Sequence, residues 1–530
     1  MRLHGWLAGG LVLAVMAAAA SYPAVSAPAP RTLVVGVGHD QTTLDPARGY
    51  EIVGGLVHKA TYNTLVTLAP GDIGTIVPDL AERWRVTPDG KTYVFTLRRG
   101  VRFVSGNEVS AQDVKWSYDR VRGIRGNPSF LFDTIQAVEV RDPRTVVVRL
   151  TQPDPALLAK MTFGAFAVLD SKTVQARGGV SGPDARERDQ AQRWLDQNSA
   201  GTGPFILRRW VRESEVVVER HGNYWGGPPR LDRVIFRHLP QSATQKLALE
   251  AGDIDIALEL NAEQARALAA NPAVQIVRGP TTDLFFLLAN RNPAVSGGVM
   301  SNPKVVQAIR YAIDYQGIKE LAGGVGITPP TLVGVGFAGA WDESRAPRRD
   351  LARARQLLAE AGYPNGFEIE LEYATKLGRS GVEMDLLAPK IQADLAEVGI
   401  RVRLKPGDLQ TTLANYRAGN EAFGLWLWGA DFPDINDRLA FLPNGIVGKR
   451  AGWTDERADD LIKSLRDQAM VETDPRRRAQ IWDRIQAYLV ENSPFVPLIQ
   501  PVAQVALRRT VKGYVFNNQF RVQPFLLSKD

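Results

Sequence analysis

Two periodicities divide the chain. Short runs in which apolar residues alternate with polar ones, or stay apolar throughout, predict strands. Thr32–Gly38, Arg144–Leu150, Phe205–Trp210, Glu213–Arg220 and Leu231–Leu239 are of this kind. So are the two runs flanking the turn Thr87-Pro88-Asp89-Gly90 within Pro78–Leu97, the second with Tyr93, Phe95 and Leu97 on one face. The other period is helical. Ser110-Ala-Gln-Asp113 is a capping box, in which side chains satisfy free backbone N–H groups, and it opens a helix with Val114, Tyr118 and Val121 on one side. Ser242–Ala251 reads as a helix followed by the turn and strand Gly252–Ile256. From Thr282 onward the patterns alternate: strand Thr282–Asn290, then a helix from Asn302-Pro303 with Val305, Ile309, Ala312 and Ile313 on one face. Helix Arg353–Ala361 stops at Gly362, and strand Phe367–Tyr373, helix Val382–Val398 and strand Ile400–Leu404 follow. Asp474-Pro475 caps a last helix carrying Ile481, Trp482, Ile485 and Leu489. Strands alternating with helices predict an α/β protein with an open sheet. Gly178–Ala200, glycines followed by alternating acids and bases around Trp194, reads as a loop and solvated helix linking two lobes.

One strand pattern ends unusually. Leu425–Leu442, LWLWGADFPDINDRLAFL, places Trp426 and Trp428 at a strand end, breaks at Gly429-Ala430, and presents Asp431 before Phe432-Pro433-Asp434. Aromatic faces and a carboxylate where backbone leaves its ladder can line a cleft that takes an amine or a hydroxyl. The same residues can also be a core tryptophan pair followed by a loop whose aspartates cap nearby backbone.

Length and composition narrow the classes. With 530 residues, two or three domains are expected. Arg2 and His4, the apolar run Leu7–Ala20 and the small residues and prolines after it have the order of a secretory signal peptide, with cleavage after Ala20 or near Ala27. There is no cysteine, so export brings no disulfide framework. A net charge of +7 points only weakly to an acidic partner, and no basic stripe interleaved with aromatics marks nucleic-acid binding. Gly36-Val37-Gly38 lacks the third glycine of a dinucleotide loop, and Gln41 stands in its place. HExxH, CxxC, GxSxG and P-loop patterns are absent, and the five histidines show no metal spacing. No enzyme, cofactor or resident metal is expected.

A series of blocks then carries a resemblance. PDLAERWRVTPDGKTYVFTLRRGVRF with SAQDV, GTGPFILRRW, NYWGG, LEAGDIDIAL, NPKVVQAIRYAID, ARQLLAEAGYPNGFEIEL, IQADLAEVGIRVRL, WGADFPD and IWDRIQAYLVENSPFVPL occur in that order. The chain resembles the extracytoplasmic solute-binding proteins of family 5, the dipeptide, oligopeptide and nickel class serving ABC transporters. It departs at Phe103-Val-Ser-Gly106, where that family usually carries a histidine-bearing turn. The resemblance implies a two-lobed α/β periplasmic binding protein fold, type II in its large three-part form, hinged on two crossing strands. The expected organisation is a signal peptide at 1–27, lobe I at 31–277 with an extra subdomain near 66–200, lobe II at 278–490, and a return to lobe I at 491–530. It also implies capture of a solute, a di- or oligopeptide first, and delivery to an inner-membrane permease with its ATPase. A free periplasmic monomer is expected, since the cysteine that would carry a lipid anchor is missing. The alternatives are an opine, an oligosaccharide or a metal chelate as cargo, or a periplasmic sensor or chaperone on the same fold.

For the site, the resemblance implies that backbone at Leu427, Trp428 and Gly429 pairs with an extended peptide, and that Asp431 holds its α-ammonium. Trp428 and Trp426 are the aromatic candidates. Arg379, with Lys376, lies where some relatives bind a carboxylate. Asn290 at a strand end, and Tyr50 with Glu51 in the first loop, complete the candidates.

Overall fold

The computed structural model describes residues 31–530, so the expected signal peptide lies outside the described residues. Two large sheets organise this chain. The first has seven strands, in the order Val274–Pro280, Val502–Arg508, Ile256–Ala257, Thr32–Val37, Arg233–His238, Glu215–Arg220 and Phe205–Val211. Thr32–Val37 runs parallel to both of its neighbours. The second has five, in the order Ile400–Gly407, Phe367–Ala374, Phe423–Trp428, Leu284–Ala289 and Phe495–Ile499. A four-stranded antiparallel sheet, Ala81–Val86, Thr92–Leu97, Thr145–Leu150 and Ile135–Asp142, packs under helix Ala111–Ile124 and forms the third part.

The second sheet explains the uninterrupted apolar run LFFLLA of Leu284–Ala289. Side chains alternate across a strand, so both faces must be covered for every residue to be apolar. Phe285, Leu287 and Ala289 enter the core beside helices Pro303–Ala312 and Met384–Ala396. Leu284, Phe286 and Leu288 enter the opposite core, with helices Asp460–Val471 and Pro475–Asn492.

Two neighbouring connections join the sheets. The chain leaves the first at Pro280 and enters the second at Leu284, and it returns from Ile499 to Val502. Thr281 Oγ1 donates to the Pro501 carbonyl (2.8 Å), and Gln500 Nε2 donates to the Thr281 carbonyl (2.6 Å). This pair of short crossings is the hinge between two lobes.

Two expectations change. The return to the first lobe does not begin at 491, because Phe495–Ile499 pairs antiparallel with Leu284–Ala289 and belongs to the second sheet. Nor is 178–200 a solvated linker between lobes. Its Ala185 and Leu195 are buried, and Asp189 receives the buried Arg120 guanidinium (2.8 Å), which also grips Asp45 at 2.7 Å. Alternating charges look the same in sequence whether they face water or one another.

Candidate functional site

Strand Phe423–Trp428 delivers its aromatic end to the seam between the lobes. Phe423, Leu425 and Leu427 face one core of the second lobe, so Trp426 and Trp428 face the other. Trp426 is buried, stacked on Tyr416 with ring centroids 4.1 Å apart, and donates its indole N–H to Glu421. It is a core residue, which corrects its place among the ligand candidates. Trp428, one turn of the pleat further on, is half-buried and donates to Asp437 Oδ2 (3.1 Å).

Asp437 organises the loop that follows. Its other oxygen accepts the Asp431 backbone N–H at 2.8 Å, and the buried Arg438 lies 3.3 Å away. Arg438 in turn donates to the Thr282 and Val333 carbonyls, tying the loop to the hinge. Pinned there, the partly buried Asp431 carboxylate points at the first lobe and accepts the Tyr50 hydroxyl. Tyr50 is itself held between Phe130 and Phe163 at 5.8 and 5.4 Å. Burial, and then the negative Asp437, raise Asp431 from 3.8 to about 7, against the opposing Tyr50 hydrogen bond and Arg438. A carboxyl at that pKa is sensitive to any cation placed beside it. The next side chain, Phe432, leaves the second lobe altogether and sits in the core of the four-stranded part, under the Lys160 ammonium.

The backbone beside Asp431 is open on one edge. Leu284–Ala289 pairs with the strand through Trp428 on one side. On the other side Phe367–Ala374 registers with it only at Glu372 opposite Gly424 and ends at Ala374. Leu427 and Trp428 therefore run past their neighbour, leaving an edge with no strand among the described residues.

Arg379 stands on this side of the cleft. Its Nη1 lies 3.3 Å from Asp283 Oδ1 in the hinge, and Gly429 packs so closely that a Cβ there would meet both groups, at 2.8 and 2.9 Å. Arg379 lines a small interlobe cavity of about 30 Å³ together with His39 and Glu259 of the first lobe and Arg521 near the C-terminus. That is room for about one water.

The remaining candidates do not join the site. Asn290 is fully buried at the far end of its strand, where its amide donates to the Gly419 and Glu421 carbonyls, so it is scaffold. Lys376 is exposed and does not line the cavity, and its backbone N–H bonds Asp385. Glu51 accepts from Thr42 (2.6 Å) and from the Tyr50 N–H. The structure thus brings together Tyr50, Trp428, Gly429 and Asp431 with Arg379 nearby. It adds Asp283, Asp437, Arg438 and Arg521, which sequence reasoning missed. Asp437 and Arg438 lay within the stretch that drew attention, but nothing in a local pattern tells a carboxylate that pins a loop from one that caps it.

Comparison with known proteins places this geometry. The probable D,D-dipeptide-binding periplasmic protein DdpA of Escherichia coli K12 is 26% identical over 95% of both chains. The glutathione-binding protein GsiB of Salmonella choleraesuis is 28% identical over 96% of both. The solved structure of AgaA from A. tumefaciens R10, in complex with agropinic acid, is 27% identical with a TM-score of 0.75, covering 94% of this chain and 99% of that one. The family model for bacterial extracellular solute-binding proteins, family 5 (middle region), matches residues 75–444. With that match over most of its length and two lobes meeting at an open strand edge, the chain belongs to the family 5 extracellular solute-binding proteins.

Proposed function

We propose that this protein captures a di- or oligopeptide between its lobes in the periplasm and delivers it, as a monomer, to an inner-membrane ABC permease with its ATPase. Family members are binding proteins and not enzymes, and the reading assigns no catalytic step. The observation that carries it is the Asp431 carboxylate, partly buried at the seam beside the unpaired edge of Leu427–Trp428. An extended peptide adds to such an edge through its own backbone, which gives affinity with little dependence on side chains. Its α-ammonium then replaces the Tyr50 hydroxyl on Asp431, trading a neutral hydrogen bond for a charge-assisted one. Trp428 supplies apolar area next to that ammonium, and Arg379 supplies a guanidinium for the opposite charge. Among the described residues no helix is long and apolar enough to cross a membrane. The D,D-dipeptide- and glutathione-binding relatives support the peptide class, whereas AgaA supports an opine as the second reading.

Isothermal titration calorimetry with a panel of di- and tripeptides tests the proposal. Free peptides should bind, their N-acetylated forms should bind at least roughly tenfold more weakly, and Asp431→Ala should abolish that preference. Equal binding of both forms would contradict the assignment of the ammonium to Asp431.

A further inference from the structure

The residue after Asp431 crosses the seam between the lobes. Phe432 belongs by chain to the second lobe, yet its side chain is 8% exposed and sits in the core of the four-stranded part, on the first-lobe side. Its own loop aims it there. One residue earlier, the Asp431 N–H is held by Asp437 (2.8 Å). Two residues later, the Asp434 N–H donates to the Phe432 carbonyl (2.8 Å), and the Asp434 carboxylate accepts from the Arg478 guanidinium of helix Pro475–Asn492 (3.0 Å). Pro433, between them, biases Phe432 toward extended backbone. A ring carried on a loop tied down at both ends projects in one direction.

The receiving side is held as firmly. The Lys160 ammonium stands 5.2 Å from the centroid of the Phe432 ring. It donates to Asp154 (2.7 Å), which also accepts the Thr134 hydroxyl (2.7 Å). Three residues beyond Lys160, Phe163 packs on Tyr50 at 5.4 Å, and Tyr50 donates to Asp431. Consecutive residues of the second lobe therefore meet one short segment of the other side, Phe432 directly and Asp431 through Tyr50. Separating the lobes withdraws the Phe432 ring into water and parts Asp431 from Tyr50 in the same motion. Burial of a phenylalanine shifts an equilibrium by roughly tenfold to a hundredfold.

We infer that Phe432 is a positioning residue for capture: seated across the seam, it holds the lobes together and sets Asp431 in place without touching the solute. A solute that favours the closed lobes gains the burial of this ring in addition to its own contacts, and its release must undo that burial. Phe432 therefore acts on how long the solute is kept, whereas Asp431 acts on which solute is chosen. The inference rests on capture of a solute between the lobes, not on that solute being a peptide.

Two measurements test it, one of them independent of any ligand. The chain has no cysteine, so Tyr50→Cys places a single thiol where the second lobe meets the first. Its rate of modification by N-ethylmaleimide reports separation of the lobes. Tyr50→Cys/Phe432→Ala should react roughly tenfold to a hundredfold faster than Tyr50→Cys, and Tyr50→Cys/Phe432→Leu should return most of the way. Equal rates would overturn the inference. So would an acceleration matched by faster global unfolding, followed in parallel, because Phe432 would then be an ordinary core residue. Alanyl-alanine is the probe for capture, read by calorimetry and by stopped-flow dissociation. Phe432→Ala should bind it at least roughly tenfold more weakly, chiefly through faster release, and should keep the preference for the free over the N-acetylated form. Weaker binding with that preference lost would assign Phe432 to the local shape of the Asp431 loop and overturn its part in closure. If wild type binds no alanyl-alanine, the peptide reading falls, and the thiol rates alone decide on Phe432.

Discussion

Replacing Asp431 by Asn keeps the size of the side chain and its ability to accept from Tyr50, but removes its proton. In the ligand-free protein that proton matters. The unfolded chain releases it near pH 3.8, whereas the folded chain keeps it to about pH 7, because burial and Asp437 oppose the charge. The contribution of this carboxyl to stability is therefore complete below pH 3.8 and is lost as pH rises through 7. One pKa unit is about 1.4 kcal/mol, so wild type loses on the order of 4 kcal/mol through this group across the whole window. Roughly 2–3 kcal/mol of that falls between pH 5 and pH 8. Burial raises the neighbouring Asp437 as well, and because the two carboxyls interact the figure is an upper bound for Asp431 alone. Unfolding of ligand-free wild type and Asp431→Asn, followed at both pH values, measures the effect. The advantage of the variant should be small at pH 5 and grow to a few kcal/mol at pH 8. Parallel pH profiles would refute the reasoning, since they would mean that the Asp431 charge costs the folded state nothing.

Four further outcomes follow from the same physics. A cationic ligand group on Asp431 requires the ionised form, so affinity should fall by roughly tenfold per pH unit below about pH 7. Calorimetry in buffers of different ionisation enthalpy should then report release of up to one proton per ligand at acid pH. Arg120→Ala leaves the buried Asp45 and Asp189 carboxylates with only the longer Arg48 contacts, at 3.4 and 3.3 Å, and should cost about 3 kcal/mol by denaturant unfolding. Trp426→Ala empties a core position stacked on Tyr416, with an expected cost of about 3–5 kcal/mol and ligand affinity per folded molecule unchanged. Trp428→Ala, by contrast, removes one of the Asp437 hydrogen bonds and should weaken ligand binding more than stability, by the same pair of measurements.

How much of this could be read from sequence depended on distance along the chain. Local patterns located the elements well. Ser242–Ala251 is the expected helix residue for residue, the Ser110 capping box opens Ala111–Ile124, and Asp474 caps Pro475–Asn492. Strand ends moved by one to three residues, because where a ladder stops is decided by the neighbouring strand. Trp426 and Trp428 look alike in LWLWGAD, and both point the same way. Only the partners they meet separate core from cleft: Trp426 is buried on Tyr416, whereas Trp428 is half-buried and bonds Asp437. Asn290 resembled a polar strand end facing a cleft, but the chain had turned to bury it against Gly419 and Glu421. Tyr50 is the most distant candidate that the fold brings to Asp431, 381 residues away. Arg521 and Asp283 were illegible for the same reason. Each is one charge among many until the hinge brings them within 3.5 Å.

The central claim is that a zwitterionic peptide is held between the lobes with its ammonium on Asp431. Mass spectrometry of small molecules released by denaturing protein purified from the periplasm tests it most directly, with wild type and Asp431→Ala side by side. The account predicts short peptides with free N-termini from wild type and their loss from the variant. An opine, a sugar or a metal chelate released equally from both proteins would contradict it.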